Sequence, residues 1–417
     1  MSLTGAMNAA VSAMQAQSSA LSLISNNLAN VSTTGYKASS ASFSSLLTSS
    51  GSVSSASGGV TVAKSQNLLE SGTLVESAVS TNIAIDGDGF FAVTSGDGSQ
   101  IYYTRNGGFT VDEDTGYLTN NGYTLLGWAT DADGNVIGGT TESNLEQIDT
   151  DAITGYAAAT TTATLKGSLP ADTTTSLTSE LEIYDSLGTA FTVGVTWTKS
   201  TSADNTWTMS FDSLDSTGSS TGTIDTGDVT IVFDENGKLQ SFSPNTLEIS
   251  GLSDGAADQT ITLDLGTIGA TDGLSQYTPD DSSSSTAVDI SCTGDGCAYG
   301  TLSGITIEED GTVTANYSNE QSISIYKIPL ATFSNANGLS EMSSSVYSVS
   351  STSSSATYHF ADSDGVGSIQ DYELEESTSD TNTEFSSMIA AQQAYSAASQ
   401  VISTAKDMFD SLLSAVR

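Results

Sequence analysis

The first 36 residues, MSLTGAMNAAVSAMQAQSSALSLISNNLANVSTTGY, contain no charged side chain, although the whole chain carries a formal net charge of −40. Within them Leu3, Met7, Ala10, Met14, Leu21, Ile24, Leu28 and Val31 fall on alternating steps of four and three, with one polar rung at Gln17. That spacing predicts a helix with a heptad seam. A polar rung either fixes register or sits at a half-exposed edge, and spacing does not separate the two. The far end repeats the pattern: Met388, Tyr395, Ile402, Phe409 and Val416 are each seven apart, and Ala391, Ala398, Ala405 and Leu412 follow the first four by three. Small residues in a seam let a second helix come close. Lys406 and Arg417 balance Asp407 and Asp410 in residues 386–417, so the entire −40 lies in residues 37–385. Neutral helices pack beside each other, or beside copies of themselves, at little electrostatic cost. One reading is a helical hairpin on an ordinary domain; the other is a polymer whose core is made of paired terminal helices. Ser, Asn and Thr are poor formers of isolated helices, so both readings leave the ends weakly folded in a free monomer.

Between the ends the composition is that of a turn-rich β protein. The chain of 417 residues has only 14% charged residues, with 49 acids against 9 Lys plus Arg. This balance argues against binding nucleic acid or anionic lipid. No stretch approaches the about 18 apolar residues of a membrane-spanning helix, and no cleavable signal peptide is visible. Residues 37–80 open Ser-rich and read as a connector, and residues 346–375 mirror them. Residues 81–155 and 301–345 read as one β domain, with Asn106-Gly107 and Asn121-Gly122 as tight-turn signals. Residues 156–300, rich in Thr and Asp, read as a second β domain inserted into the first. The terminal helical parts are then 1–36 and 376–417. The fold class expected is α+β, mainly β: two nested β domains with paired, coiled-coil-like N- and C-terminal helices. Such nesting brings both termini to one end.

Chemistry-bearing constellations are weak. His359 is the only histidine, and a Ser-His-Asp arrangement needs a positioned one. In DADGNVIGGTTE, Asp131, Asp133, Asn135 and Glu142 fall at calcium-loop positions, but Val136 stands where that loop needs Gly, so a hairpin turn is the better reading. Trp128, Trp197 and Trp207 fit strand-face core better than sugar binding. Cys292 and Cys297 flank a Gly-Asp-Gly turn; a local disulfide is one reading and two free thiols the other. No catalytic residue, metal site or cofactor is expected.

Three separated segments carry a family resemblance. SNNLANVSTTGYK (25–37) resembles the N-terminal signature of bacterial flagellar axial proteins, which form the rod and hook. NIAIDGDGFFAV and YTRNGGFTVDEDTGYLTNNGYTLLGW resemble their inner β domain, and EFSSMIAAQQAYSAASQVISTAKDMFDSLL (384–413) resembles their C-terminal helix. Gln393 stands where the family usually has Arg after a Gln, and the family often has Asn near Ala398 and an acidic residue near Ala405. The large inserted domain points to the hook member of the group. The resemblance implies a structural subunit, exported without a cleaved signal, that self-assembles into a curved tube outside the cell. That tube acts as a universal joint passing torque from rod to filament. It implies as partners further copies of the chain, the distal rod protein, the hook cap, the hook–filament junction proteins and the flagellar export apparatus, with no nucleic acid and no membrane insertion. The residues expected to carry assembly are Leu3, Met7, Met14, Leu21, Ile24, Leu28, Met388, Tyr395, Ile402, Phe409, Leu412 and Val416. A distal-rod-type axial protein and an acidic, adhesin-like extracellular binding protein are the alternatives.

Overall fold

A computed structural model describes the chain except residues 1–2, 48–56, 97, 99, 217–221, 279–288, 344, 364 and 416–417. It divides into two compact units, one of residues 1–152, 305–315 and 323–417, the other of residues 153–304 and 316–322.

The first unit holds both long helices, α1 (Leu3–Ala29) and α2 (Thr381–Ala415). After Ala29 the chain turns through Asn30, whose side chain donates back to Asn26 O at 2.9 Å, and reaches Gly35 at φ +66°. A Cβ at Gly35 would lie 2.6 Å from the Asn106 backbone nitrogen, so only glycine fits that approach. Asp380 caps α2, its Oδ1 accepting the Thr383 N–H at 2.8 Å.

The Ser-rich stretch after Lys37 departs from the expected irregular connector. It forms an antiparallel hairpin of β1 (Ser39–Leu47) and β2 (Ser57–Gln66), with Phe43 opposite Val62 and Ala41 opposite Lys64. Val60, Thr61 and Val62 supply strand propensity that serine-rich composition conceals. A lone two-stranded hairpin is marginal in water; this one lies on α1. The Val60 N–H donates to Ser12 Oγ at 3.2 Å, and a Cβ on Gly59 would come within 2.4 Å of the same oxygen.

Beyond the hairpin come β3 (Leu74–Glu76), β4 (Ile83–Asp86), β5 (Phe90–Ser95) and β6 (Ile101–Thr104). β5 pairs antiparallel with β6, with Tyr123–Ala129 and with Leu330–Thr332, while β6 takes Val346–Ser348 on its other edge. Phe90, Tyr103, Leu126 and Tyr347 fill one core, and Phe333 meets Tyr103 edge-on at 4.8 Å between ring centroids. Trp128 is fully buried, with its Nε1 donating to Thr141 O at 3.0 Å. In the 131–142 segment the Asp131 Oδ1 accepts the N–H groups of Asp133 and Asn135, closing a hairpin turn. His359 ends a short strand opposite Leu330.

The second unit is a β structure, and among its described residues two sheets enclose the core. One runs Leu177–Tyr184, Ala190–Lys199, Thr206–Ser216, Val229–Phe233, Leu239–Ser243, all antiparallel. In the other, Thr162–Pro170 lies parallel to both Gln259–Asp264 and Leu274–Tyr277 and antiparallel to Asp289–Gly294. Alternate residues of Ala190–Lys199 are buried, as one core-facing side requires. Trp197 and Trp207 are fully buried in the shared core, and Trp207 Nε1 donates to Gln276 Oε1 at 3.0 Å. Cys292 and Cys297 are both free thiols, so the disulfide considered from sequence is not formed. Cys292 donates to Ser179 Oγ at 3.7 Å, and burial pushes its thiol up from the ordinary value.

Candidate assembly surface and its buried anchor

The two helices pack against each other, and the buried apolar residues on both are alanines. Ala10, Ala16 and Ala20 on α1 and Ala391, Ala398 and Ala405 on α2 are buried. Ala has no side chain to hold the backbones apart, so the pair can close tightly. The larger residues of the seams sit beside this contact. Met7, Met14, Leu21, Ile24 and Leu28 are half-buried on α1, as are Met388 and Ile402 on α2. Tyr395, Phe409 and Leu412 are exposed, Leu412 to 59%. Leu3 begins α1, and Val416 lies outside the described residues.

Sequence periodicity missed a second set on α2. Phe385, Ile389, Val401, Met408 and Leu413 are all exposed, Leu413 to 68%. These residues alternate with the heptad positions rather than sharing them. A hollow of about 440 Å3 is lined by Ala6, Ala397, Val401, Thr404, Ala405 and Met408, with almost no polar surface. Single exposed hydrophobics are ordinary on a protein surface; here α2 carries several large ones, on more than one of its faces. Among the described residues, no helix is long and apolar enough to cross a membrane.

At the root of the helices the packing turns polar. Asn27, 2% exposed, donates through Nδ2 to Ser39 O and to Glu384 Oε1, both at 2.8 Å. Its Oδ1 accepts the Tyr36 hydroxyl at 3.1 Å and the Ser39 N–H at 3.0 Å. One amide thus joins α1, the chain leaving it, and α2, with every donor and acceptor used.

Next to it lies a centre of buried charge. The side chains of Lys37, Arg105 and Glu375 are all 0% exposed. Lys37 Nζ contacts Glu375 Oε1 and Glu70 O, each at 2.5 Å, and the Gly72 N–H donates to the same Glu375 oxygen at 2.6 Å. Arg105 donates to Gly87 O at 2.9 Å, lies 5.2 Å from the Phe90 ring centroid, and stands 3.8 Å from Glu375 Oε2. Burial drives both cations below their ordinary pKa values, and the Glu375 carboxylate opposes that shift in each. Lys37 ends the quoted N-terminal motif and Arg105 lies in the quoted YTRNGGF run. Their convergence could not be read from either. The one available signal was scarcity: the chain has nine Lys plus Arg, so two cations set among glycines and aromatics stand out.

Comparisons with known proteins agree with this architecture segment by segment. Residues 7–37 match the family described as flagella basal body rod protein, and residues 84–161 the flagellar hook protein FlgE/F/G D1 domain. Residues 166–294 match the flagellar basal body protein FlaE D2 domain, and residues 370–415 the flagellar basal body rod FlgEFG protein C-terminal family. The flagellar hook protein FlgE of Brucella suis is 32% identical over 359 residues, covering 84% of this chain and 83% of that one. Its Salmonella typhimurium counterpart is 29% identical over 360 residues, covering 82% and 84% respectively. Among solved structures, Helicobacter pylori flagellar hook protein FlgE2 shares the fold with a TM-score of 0.51 at 14% identity, over 72% of this chain and all of that one. The chain belongs to the flagellar hook protein family.

Proposed function

We propose that this hook subunit polymerises through α1 and α2 into a curved tube that carries torque between rod and filament. The observation that supports this most directly is the helical pair itself. It is built on alanines, is nearly free of charge, and exposes Tyr395, Val401, Met408, Phe409, Leu412 and Leu413 along one element. Helices with so little charge stack with far less repulsion than the acidic remainder of the chain would impose. The work is mechanical rather than catalytic. Its partners are other copies of the chain, with the distal rod protein, the hook cap, the hook–filament junction proteins and the export apparatus at the stages of assembly. Electron microscopy of the purified full-length chain beside a version lacking residues 1–36 and 386–417 tests the reading. Tubes from the full-length chain alone support it; tubes from both would place the polymer contacts elsewhere.

A further inference from the structure

The segment from Ser368 to Thr378 lies between the β core and α2, and much of the surrounding structure closes on it. β3 pairs with Glu373–Glu375, Val75 opposite Leu374, and β4 pairs with Ser368–Asp371, Ile85 opposite Ile369. Among the described residues neither β3 nor β4 pairs with another strand; β4 adds one bond, from Ile83 N–H to Gly107 O. Further backbone bonds tie the segment to the exit from α1: Gly35 N–H to Glu375 O at 2.8 Å and Thr378 N–H to Tyr36 O at 3.1 Å. Others tie it to the strands: Glu376 N–H to Thr73 O at 2.9 Å and Ser77 N–H to Tyr372 O at 2.6 Å. Gly72 is held so near that a Cβ there would lie 2.2 Å from Glu376 O.

The same segment brings the carboxylate that the buried centre needs. Lys37 and Arg105 arrive from residues far earlier in the chain, and among the described residues Glu375 is the only acid within ion-pair distance of either. Without it, the two buried cations lose their nearest counter-charge and keep only the weaker attraction of Glu70 and Asp88, which disfavours closing the site.

We infer that residues 368–378 act as a clasp, with Glu375 as its positioning residue. Until the clasp is in place, β3, β4 and the 33–37 turn stay open and α1 is not seated against α2. The inference concerns the folding of a single chain and does not rest on the hook reading.

Hydrogen exchange with mass spectrometry on the full-length protein tests it. Glu375→Gln keeps the oxygen that accepts from Lys37 and Gly72 but removes the charge. Exchange in 33–37, 73–77, 83–86 and 368–378, and in both helices, is expected to quicken by about tenfold or more, because the buried cations then lack their nearest counter-charge. Exchange in 177–199 of the second unit stays unchanged, and the Glu376→Gln control matches the parent. Parent-like exchange in Glu375→Gln overturns the clasp. So does an equal quickening in β5 and β6, which would make Glu375 a general stabiliser of the first unit. Glu375→Asp, which keeps the charge at shorter reach, serves with the same outcomes if Glu375→Gln does not accumulate. Tube formation is scored separately, so failure of the polymer and failure of the clasp are different results.

Discussion

Asn27 donates to Glu384 Oε1 at 2.8 Å, so a buried amide of α1 holds the first turn of α2. Asn27→Ala removes this bond together with those to Ser39 and Tyr36, stranding several groups in a dry site. The expected cost is about 1–3 kcal/mol, read as a lower urea midpoint for the first unit. Glu384→Gln retains an oxygen acceptor and is expected to stay close to the parent. Equal losses in the two variants would show that charge rather than geometry matters there.

The alanine contact limits what can stand between the helices. Ala398→Leu puts a bulky side chain where α1 and α2 touch, and overpacking of this kind costs about 1–3 kcal/mol. Circular dichroism would show earlier thermal loss of helix, with the β signal retained. An unchanged helical transition would mean that the helices can separate at this level without loss.

Ile402→Asp places a carboxylate on the half-buried face of α2. The tubes expected of the parent should not form, while the β structure of both units keeps its near-ultraviolet spectrum. Electron microscopy decides: normal tubes from this variant contradict the assignment of α2 to the assembly core.

The cap on α2 has a pH signature. The Thr383 N–H holds the Asp380 carboxyl below its ordinary value. A carboxyl lowered in the folded state stabilises above its unfolded pKa, and that contribution is lost as pH falls through the folded value. Helicity at the start of α2 therefore declines in acid. Asp380→Asn still caps but does not titrate, so the Thr383 amide resonance in that variant should be flat across the same range. An identical acid response in both would remove Asp380 as its source.

Within the second unit, Trp207→Phe leaves the Gln276 Oε1 without its indole donor. A loss of about 1–3 kcal/mol is expected, confined to that unit's unfolding transition. Both thiols should react with iodoacetamide after unfolding without reductant; a species lighter by two hydrogens would instead indicate a Cys292–Cys297 disulfide.

Periodicity made the helices legible because both seams run for many turns without interruption. It located the alanines of α2 as a set but ranked the larger residues as the contact, since a one-dimensional pattern weights size and the packing of this pair is decided by closeness. The β1–β2 hairpin was hidden by serine, whose strand residues look like linker. The Lys37–Arg105–Glu375 centre was illegible for a different reason: its members are 68 and 270 residues apart in the chain (105 − 37 and 375 − 105), and no local pattern encodes such a meeting. The boundary expected at 376 cut through the very segment that joins helix to sheet, because a strand of three residues leaves almost no alternating signal.

The described part of α2 has 35 residues and that of α1 has 27. At about 1.5 Å per residue, one rod outruns the other by roughly 12 Å. Ala6 lies beside Val401 and Met408, so the surplus falls at the far tip, where Leu412 and Leu413 stand uncovered. Two rods of unequal length cannot shield each other to the end. Over about two turns at that tip, the described α2 runs on with no described residue of α1 beside it, and its last leucines are left to solvent.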